Sequence, residues 1–162
     1  MKKLFFVCLV VLCAACTQLP EASYDVIPLP KVVTLNEEKP FVLQQNTVVY
    51  YESGLLREAQ FLSEYASDIL GYGLNLQEYQ GQTNGIVLKL EADGFDQAEA
   101  YEINITPKQV VIKGADAAGV FHGIQTLRKS LPIGNGIKAA ALPRIWYRFP
   151  QGKSARRASC NA

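Results

Sequence analysis

The stretch "GADAAGVFHGIQTLRKSL", residues 114 to 131, carries the clearest helix signal in the chain. Asp116 stands where a helix N-cap is expected, because a short acidic side chain accepts hydrogen bonds from the first free backbone N–H groups. Arg128 and Lys129 fall in the last turn, where cations favour the helix dipole, and Pro132 ends the element. Apolar residues at helical spacing predict a packing face. Its members are Val120, Phe121, Ile124, Leu127 and Leu131.

A second amphipathic helix is predicted upstream, between residues 53 and 71. Ser53 is the expected N-cap, and Gly71 stands where a helix C-terminus often requires a left-handed residue. Apolar residues recur there at steps of four and three, which is the stripe of a helix with one buried face. They are Leu55, Ala59, Leu62, Ala66 and Ile69.

Apolar and polar residues alternate with period two around these helices and predict strands. The alternating segments are "LNLQEY" (74–79), "GIVLKLE" (85–91), "AYEINIT" (100–106) and "QVVIKG" (109–114). The last two form a predicted hairpin with its turn at residues 106–108. The segment "NTVVYY" (46–51) is a short run of β-branched and aromatic residues, which also predicts a strand. The segment "KVVTLNEEKPFVLQ" (31–44) is interpreted as another hairpin, with a polar turn at 36–40. The pattern predicts an α+β fold, a mainly antiparallel β-sheet with two amphipathic helices on one face.

The chain begins "MKKLFFVCLVVLCAACTQLP", which has two lysines, an apolar run and small residues before Cys16. This order is typical of a signal peptide, and the apolar run is too short to span a bilayer. Because "CAAC" resembles a bacterial lipobox, we expect residues 1–15 to be removed and Cys16 to be lipidated. The protein would then be anchored in the cell envelope, at the outer membrane facing the periplasm or the surface. A plain cleaved signal is the alternative.

The charge is distributed unevenly along the rest of the chain. Residues 17 to 131 hold eight basic and all fifteen acidic residues, whereas residues 132 to 162 hold six basic and no acidic ones. We therefore expect a linker at 16–30, one domain at 31–132, and a basic tail at 133–162 that is disordered or frameshifted. Basic and aromatic residues also occur in nucleic-acid-binding segments, but an exported protein meets little nucleic acid. No nucleic-acid partner is expected.

The sequence lacks the residues that several catalytic and metal sites require. His122 is the sole histidine, and Cys160 is the only cysteine after Cys16. Two-histidine motifs and thiolate zinc sites are therefore excluded, and a metalloprotease of similar layered shape is excluded with them. A Ser-His-Asp triad would have to use His122, and no nucleophile elbow accompanies it.

Acidic residues offer no better candidate for chemistry. Glu37 and Glu38 are adjacent, but they fall in a predicted polar turn where solvated charges are expected. A second group lies in "EADGFDQAEAYE" (91–102), whose spacing is too sparse for a calcium loop. Its members are Asp93, Asp96, Glu99 and Glu102. The residues themselves predict no catalytic site, no metal site and no cofactor.

Three segments together resemble one family. They are "YDVIPLPKVVTL" (24–35), "EAQFLSEYASDILGYGLNL" (58–76) and "EAYEINITPKQVVIKGADAAGVFHGIQTLRKSLP" (99–132). In this order they are similar to the N-terminal domain of the bacterial β-N-acetylhexosaminidases of glycoside hydrolase family 20. The proline-rich start and the "GADAAGVFHGIQTL" helix are the most specific parts of the resemblance.

The resemblance implies a noncatalytic α+β domain that precedes a TIM barrel. In that family the barrel carries the catalytic Asp-Glu pair, and the enzymes hydrolyse terminal β-linked N-acetylhexosamine residues. A TIM barrel takes about 250 residues, so no catalytic residue can be assigned to this chain and the barrel is expected to be its missing partner. "LPRIWYRF" (142–149) is only a distorted echo of the segment that opens the barrel. A truncated, exported hexosaminidase is the leading interpretation.

A freestanding envelope lipoprotein that binds a glycan or a protein partner is the alternative interpretation. Such a protein would expose aromatic side chains on one face of its sheet. Tyr50, Tyr51 and Tyr101 are the candidates, although all three fit a core equally well.

Overall fold

A computed structural model describes residues 19–20, 23, 32–35, 39–132, 139–142 and 145–149. The predicted signal peptide, Cys16 and the Glu37–Glu38 pair lie outside the described residues. Nine strands, two α-helices and one short 3₁₀ helix (Ala92–Gly94) occur in the described part. The strands are β1 (Val32–Leu35), β2 (Phe41–Leu43), β3 (Val48–Tyr51), β4 (Asn75–Glu78), β5 (Gly85–Leu90), β6 (Tyr101–Ile105), β7 (Gln109–Gly114), β8 (Ala140–Leu142) and β9 (Ile145–Phe149), and the helices are α1 (Leu56–Leu70) and α2 (Ala117–Ser130).

Seven strands form the main sheet, in the order β1-β9-β6-β7-β5-β3-β4. Pairing is antiparallel from β1 to β7 and parallel from β7 to β4, so the sheet is mixed. Strands β2 and β8 form a separate antiparallel ribbon. Helices α1 and α2 contact each other and pack on the main sheet, α2 over β5, β6 and β7 and α1 over β3 and β4. The α+β class predicted from the periodicity is confirmed.

The core lies between the sheet and the two helices. Side chains alternate along each strand, and the register places Val49, Ile86, Val110 and Ile105 in one row across four strands. All four are buried, and the helices cover this row with side chains such as Leu62 and others of the same stripe. Burial of apolar area at about 25 cal/mol per Å² is the main source of stability for such a layer.

Helix α1 differs from its prediction at one end. It begins at Leu56 with Leu55 in the N-cap position, and no side chain caps it, so the assignment of Ser53 as N-cap is wrong. At the other end Gly71 adopts a φ of 78° and its N–H donates to the carbonyl of Ser67, as predicted for a glycine C-cap. Ala59, Leu62, Ala66 and Leu70 form the buried stripe, while Ile69 is only partly buried.

The predicted hairpin at residues 31–44 is wrong. Strand β1 pairs with β9 in the main sheet, whereas β2 pairs with β8 in the ribbon. The polar residues between the two strands connect two different sheets. Partners about a hundred residues away cannot be recognised from a local turn signal, because such a signal concerns only the residues beside the turn.

The prediction of a disordered tail from residue 133 is wrong for the residues described there. Strand β8 completes the ribbon, and β9 lies inside the main sheet between β1 and β6. Ile145 at the start of β9 is buried. The sequences of β8 (AAL) and β9 (IWYRF) do not alternate apolar with polar residues, so these two strands escaped the pattern. The domain therefore extends at least to Phe149.

Two residues of the predicted linker are bonded to the domain. The carbonyl of Pro20 accepts a hydrogen bond from the N–H of Ala141 at 3.0 Å, and the N–H of Ser23 donates to the carbonyl of Ser130 at 2.8 Å. The lead-in thus contacts β8 and the end of α2.

The predicted hairpin of β6 and β7 is confirmed. The two strands pair antiparallel along their whole length. Thr106 and Gln109 close the turn between them, since the hydroxyl of Thr106 both donates to the carbonyl and accepts from the N–H of Gln109.

Candidate functional site

The start of α2 is fixed by the side chain that the sequence predicts. Oδ1 of Asp116 accepts a hydrogen bond from the N–H of Gly119 at 2.8 Å, and its Oδ2 accepts one from the N–H of Glu99 at 3.1 Å. One carboxylate therefore caps the helix and ties it to the loop before β6. A Cβ at Gly119 would overlap the carbonyl oxygen of Ala100, so glycine permits this close approach of helix and loop.

The inner face of α2 is buried against the sheet. Val120, Ile124, Leu127 and Leu131 are each no more than 4% exposed. Phe121, which the spacing also assigns to this face, lies instead at its edge and is half-buried. Its ring is turned toward α1, so its inclusion in the inner packing face is corrected.

Aromatic side chains join the outer sides of the two helices. We call Phe61, Tyr65 and Phe121 the aromatic ridge; all three are half-buried. Phe121 meets Phe61 edge to face with ring centroids 5.6 Å apart, and Phe61 lies 6.5 Å from Tyr65 in a stacked arrangement. Gln125 Nε2 donates to the Tyr65 hydroxyl at 2.7 Å. The ridge is therefore an ordered surface that spans both helices.

Two arginines flank the aromatic ridge. The guanidinium of Arg57 lies 5.6 Å from the centroid of Phe61, and that of Arg128 lies 4.5 Å from the centroid of Tyr65. Both arginines are exposed. Aromatic residues with arginine neighbours are the composition enriched in the centres of protein–protein interfaces. Sequence reasoning missed Phe61 and Tyr65, because periodicity marks only the stripe that faces the core.

His122 is a half-buried helix residue with an acidic neighbour. Its Nε2 lies 3.5 Å from Oε2 of Glu99, and both side chains are more than 40% exposed. Glu99 has a φ of 62°, which is uncommon for a residue with a side chain. This contact lies at the surface, and its geometry is not that of a catalytic base held beside a nucleophile.

The acidic residues before β6 do not converge. Within the described ranges no group of three or more His, Cys, Asp or Glu side chains could hold a metal ion. Glu91 instead pairs with Lys113 at 2.8 Å. The described part also contains no helix that is both long and apolar enough to cross a bilayer.

The three candidate tyrosines have different surroundings. Tyr101 is buried, and its hydroxyl lies 2.6 Å from that of Thr126 on α2. Burial raises the pKa of Tyr101 above its usual value, and the hydrogen bond to Thr126 opposes that rise. Tyr51 packs against the core. Only Tyr50 points to the opposite face of the sheet, because its strand neighbour Val49 points toward the helices.

The described residues form an α+β domain that carries an aromatic ridge across its two helices. Residues 23–143 match the family model described as glycosyl hydrolase family 20, domain 2. The match spans most of the chain, and the chain therefore belongs to this family through that domain. The resemblance found in the sequence is confirmed.

Solved structures of family members have the same fold over most of this chain. The N-acetyl-β-hexosaminidase of Streptomyces plicatus, in complex with Thio-NAglucal, is 26% identical with a TM-score of 0.63, and the match covers 78% of this chain and 26% of that one. The β-N-acetylhexosaminidase of Streptomyces coelicolor A3(2) is 24% identical, with a TM-score of 0.66 and coverage of 82% and 28%. The exo-β-N-acetylglucosaminidase of Vibrio harveyi is 17% identical, with a TM-score of 0.64 and coverage of 81% and 20%. This chain thus spans 20% to 28% of the length of these enzymes.

Proposed function

We propose that this chain is the noncatalytic domain of an exported β-N-acetylhexosaminidase, and that it packs against the catalytic barrel of that enzyme. The family membership and the named activities of the Streptomyces relatives support the enzyme class. The reaction is the hydrolysis of terminal β-linked N-acetylhexosamine residues from glycans. In that family the catalytic Asp-Glu pair belongs to the barrel, which takes about 250 residues.

The aromatic ridge is the observation that carries the packing role. Phe61 and Phe121 are held in edge-to-face contact but remain partly exposed to solvent. The sheet already covers the other side of both helices, so the ridge is the surface left for a second layer. The flanking Arg57 and Arg128 can pair with acidic groups at the rim of that contact.

Translation of the DNA that follows codon 162, in all three frames, is the first test. A family 20 barrel sequence there is the expected result. The barrel and residues 17–162 can then be purified separately and their association measured by calorimetry. Phe61→Ala with Phe121→Ala should weaken association by about tenfold or more, because aromatic anchors dominate interface energies. Tyr79→Ala is the matched control, since Tyr79 is half-buried at the edge of the sheet.

Absence of a barrel sequence in every frame would refute the fragment proposal. If the purified pieces associate but the double variant binds as well as the wild type, the assignment of the ridge is wrong. The assignment would also be wrong if Tyr79→Ala weakened association with the barrel as much as the double variant does, because Tyr79 lies outside the ridge.

We also propose that Cys16 carries the lipid that anchors the protein in the cell envelope. The two N-terminal lysines, the short apolar run and the "AAC" end support it. Intact mass of the mature protein should show an acylated N-terminal Cys16, and Cys16→Ser should move the protein out of the membrane fraction. A mature chain that begins at another residue without added lipid mass would refute this proposal.

A further inference from the structure

The lead-in to the domain is bonded at the end of α2 and at the ribbon. The N–H of Ser23 donates to the carbonyl of Ser130 at 2.8 Å, and the N–H of Ala141 donates to the carbonyl of Pro20 at 3.0 Å. Cys16 precedes Pro20 by four residues. A chain extends by at most about 3.6 Å per residue, so a lipid carried on Cys16 would begin within about 14 Å of this bonded position.

Helix α2 runs back along β7 from the end of that strand. A Cβ at Gly114, the last residue of β7, would meet Val120, and a Cβ at Gly123 would meet the side chain of Ile112. Later residues of the helix therefore lie over earlier residues of the strand. We call the end of the sheet with the β6–β7 turn and the last turn of α2 the anchor end. The far end has the loop before β6 and the first turn of α2.

The two ends of the sheet carry opposite charge. Lys108, Arg128 and Lys129 are exposed at the anchor end. Asp68 lies there too, because α1 connects the parallel strands β3 and β4 and ends beside the start of β4. The far end is acidic, although Lys113 lies close to it. Its carboxylates are those of Glu91, Asp93, Asp96, Glu99 and Asp116.

We propose that the anchor end lies against an anionic bilayer, with Lys108 and Lys129 in contact with lipid headgroups and the far end turned away. This inference rests on the proposed lipid at Cys16, which would hold the anchor end near the surface. Anionic headgroups attract basic side chains over roughly a Debye length, about 8 Å at physiological salt, and repel the carboxylates of the far end. Leu19 is 41% exposed beside the bonded Pro20, and the membrane interface accommodates such an apolar side chain.

The test compares two labels at opposite ends of one strand in the lipidated chain. Asn84 and Ala92 are exposed just before and just after β5, roughly 20 Å apart for a strand of this length. Each is replaced by cysteine in a Cys160→Ser background, since acylation blocks Cys16, and is labelled with a fluorophore. The vesicles contain phosphatidylglycerol and lipids with nitroxide headgroups, which quench only at short range. Quenching should be severalfold greater for Asn84→Cys than for Ala92→Cys.

Charge variants test the contact with headgroups. Lys108→Gln with Lys129→Gln should lower the quenching of the Asn84→Cys label to the level seen in neutral phosphatidylcholine vesicles. Lys89→Gln with Lys113→Gln is the matched control, because it removes two basic side chains nearer the far end. This control should not lower the quenching.

Equal quenching of the two labels, or stronger quenching of Ala92→Cys, would overturn the orientation. Quenching that Lys108→Gln with Lys129→Gln leaves intact would overturn the headgroup contact. Intact mass, measured before reconstitution, separates this inference from the proposed anchor. A chain without added lipid mass refutes the anchor at Cys16 and this inference with it, whereas an acylated chain with equal quenching refutes this inference alone.

Discussion

Leu127 on the inner face of α2 is 1% exposed and belongs to the core between helix and sheet. Leu127→Ala removes its apolar contacts and leaves a cavity, so the free energy of unfolding should fall by about 2 to 5 kcal/mol. Lys129 is exposed near the end of the same helix. Lys129→Ala should therefore change the free energy of unfolding by no more than about 0.5 kcal/mol. Urea unfolding measures both values. The reverse order would contradict the assignment of the inner face.

Tyr101 should make the stability depend on alkaline pH. Burial raises its pKa in the folded state, whereas the unfolded tyrosine ionises near pH 10. The unfolded state then releases its proton at lower pH, so the stabilisation present below pH 10 is lost as the pH rises above it. Free energies of unfolding between pH 8 and 11 should fall at the upper end. Tyr101→Phe should flatten that fall; an unchanged slope in the variant would exclude this cause.

Single residues explain why one end of each helix was predictable. Asp116 and Gly71 act through bonds to their own neighbours, at Gly119 and Ser67, so the signal and the structure lie within four residues. Ser53 is also a residue type that favours the N-cap, but it lies two residues before Leu55, which occupies the N-cap of α1. Burial of Leu55 in the core outweighs the roughly 1 kcal/mol that a capping side chain contributes.

Whole elements were predictable where their pattern is local. The signals for helix α2 lie close together in the sequence: the N-cap Asp116, the apolar residues of its inner face, and Pro132 after its end. Strands β1 and β2 were recognisable as strands, but their partners β9 and β8 lie near the other end of the chain. Pairing over such a distance is decided by packing of the assembled sheet, which no local pattern contains.

Close contact between α2 and the loop before β6 should make Gly119→Ala destabilising. Alanine favours a helix interior over glycine by about 1 kcal/mol. The added Cβ would however overlap the backbone carbonyl of Ala100, and forced shifts of this kind cost about 1 to 3 kcal/mol. Thermal unfolding followed by circular dichroism should show a lower Tm. A higher Tm would mean that helix and loop are not in contact in solution.

Strand β9 should be essential because it lies between β1 and β6. A chain shortened to residues 17–132 loses β8 and β9, which leaves β6 with an open edge and β1 and β2 without their partners. It should give poorly dispersed NMR spectra, whereas residues 17–149 should fold cooperatively. A well-folded 17–132 fragment would restore the domain boundary predicted from the sequence.

At the scale of the molecule, the fold class and family were predictable and the surface was not. The order of strands and helices follows from apolar residues that recur every 2 residues in strands and every 3.6 residues in helices. These periods identify only the side chains that face the core. The aromatic ridge and the contact between Tyr50 and Gly85 depend on which residues of separate segments meet. Phe61 and Phe121 are 5.6 Å apart across two helices, and Tyr50 and Gly85 meet across two strands. Such contacts form only when the chain folds, so no local sequence pattern contains them.

Three of the described carboxylates lie beside basic side chains. Glu52 lies 3.8 Å from Lys89, and Glu91 and Glu99 have basic neighbours as well. Family 20 chemistry needs one acid over the leaving oxygen and a second carboxylate that positions the acetamido group, both on a rigid scaffold. Misplacement by about 1 Å can cost about 100-fold in rate. Glu52, Glu91 and Glu99 contact basic side chains at separate places in the chain, and this arrangement does not meet the requirement.

Residues 17–162, as a separate polypeptide, should therefore not hydrolyse an aryl β-N-acetylglucosaminide. Release of the aryl group, followed by absorbance, should stay at the level of a preparation from cells without the gene. The double variant Glu37→Gln with Glu38→Gln is the matched control, because these are the adjacent acids of the chain and any trace of contaminating enzyme would remain in it. Turnover well above background that disappears in the double variant would place an active site in this chain and overturn its assignment as a noncatalytic domain.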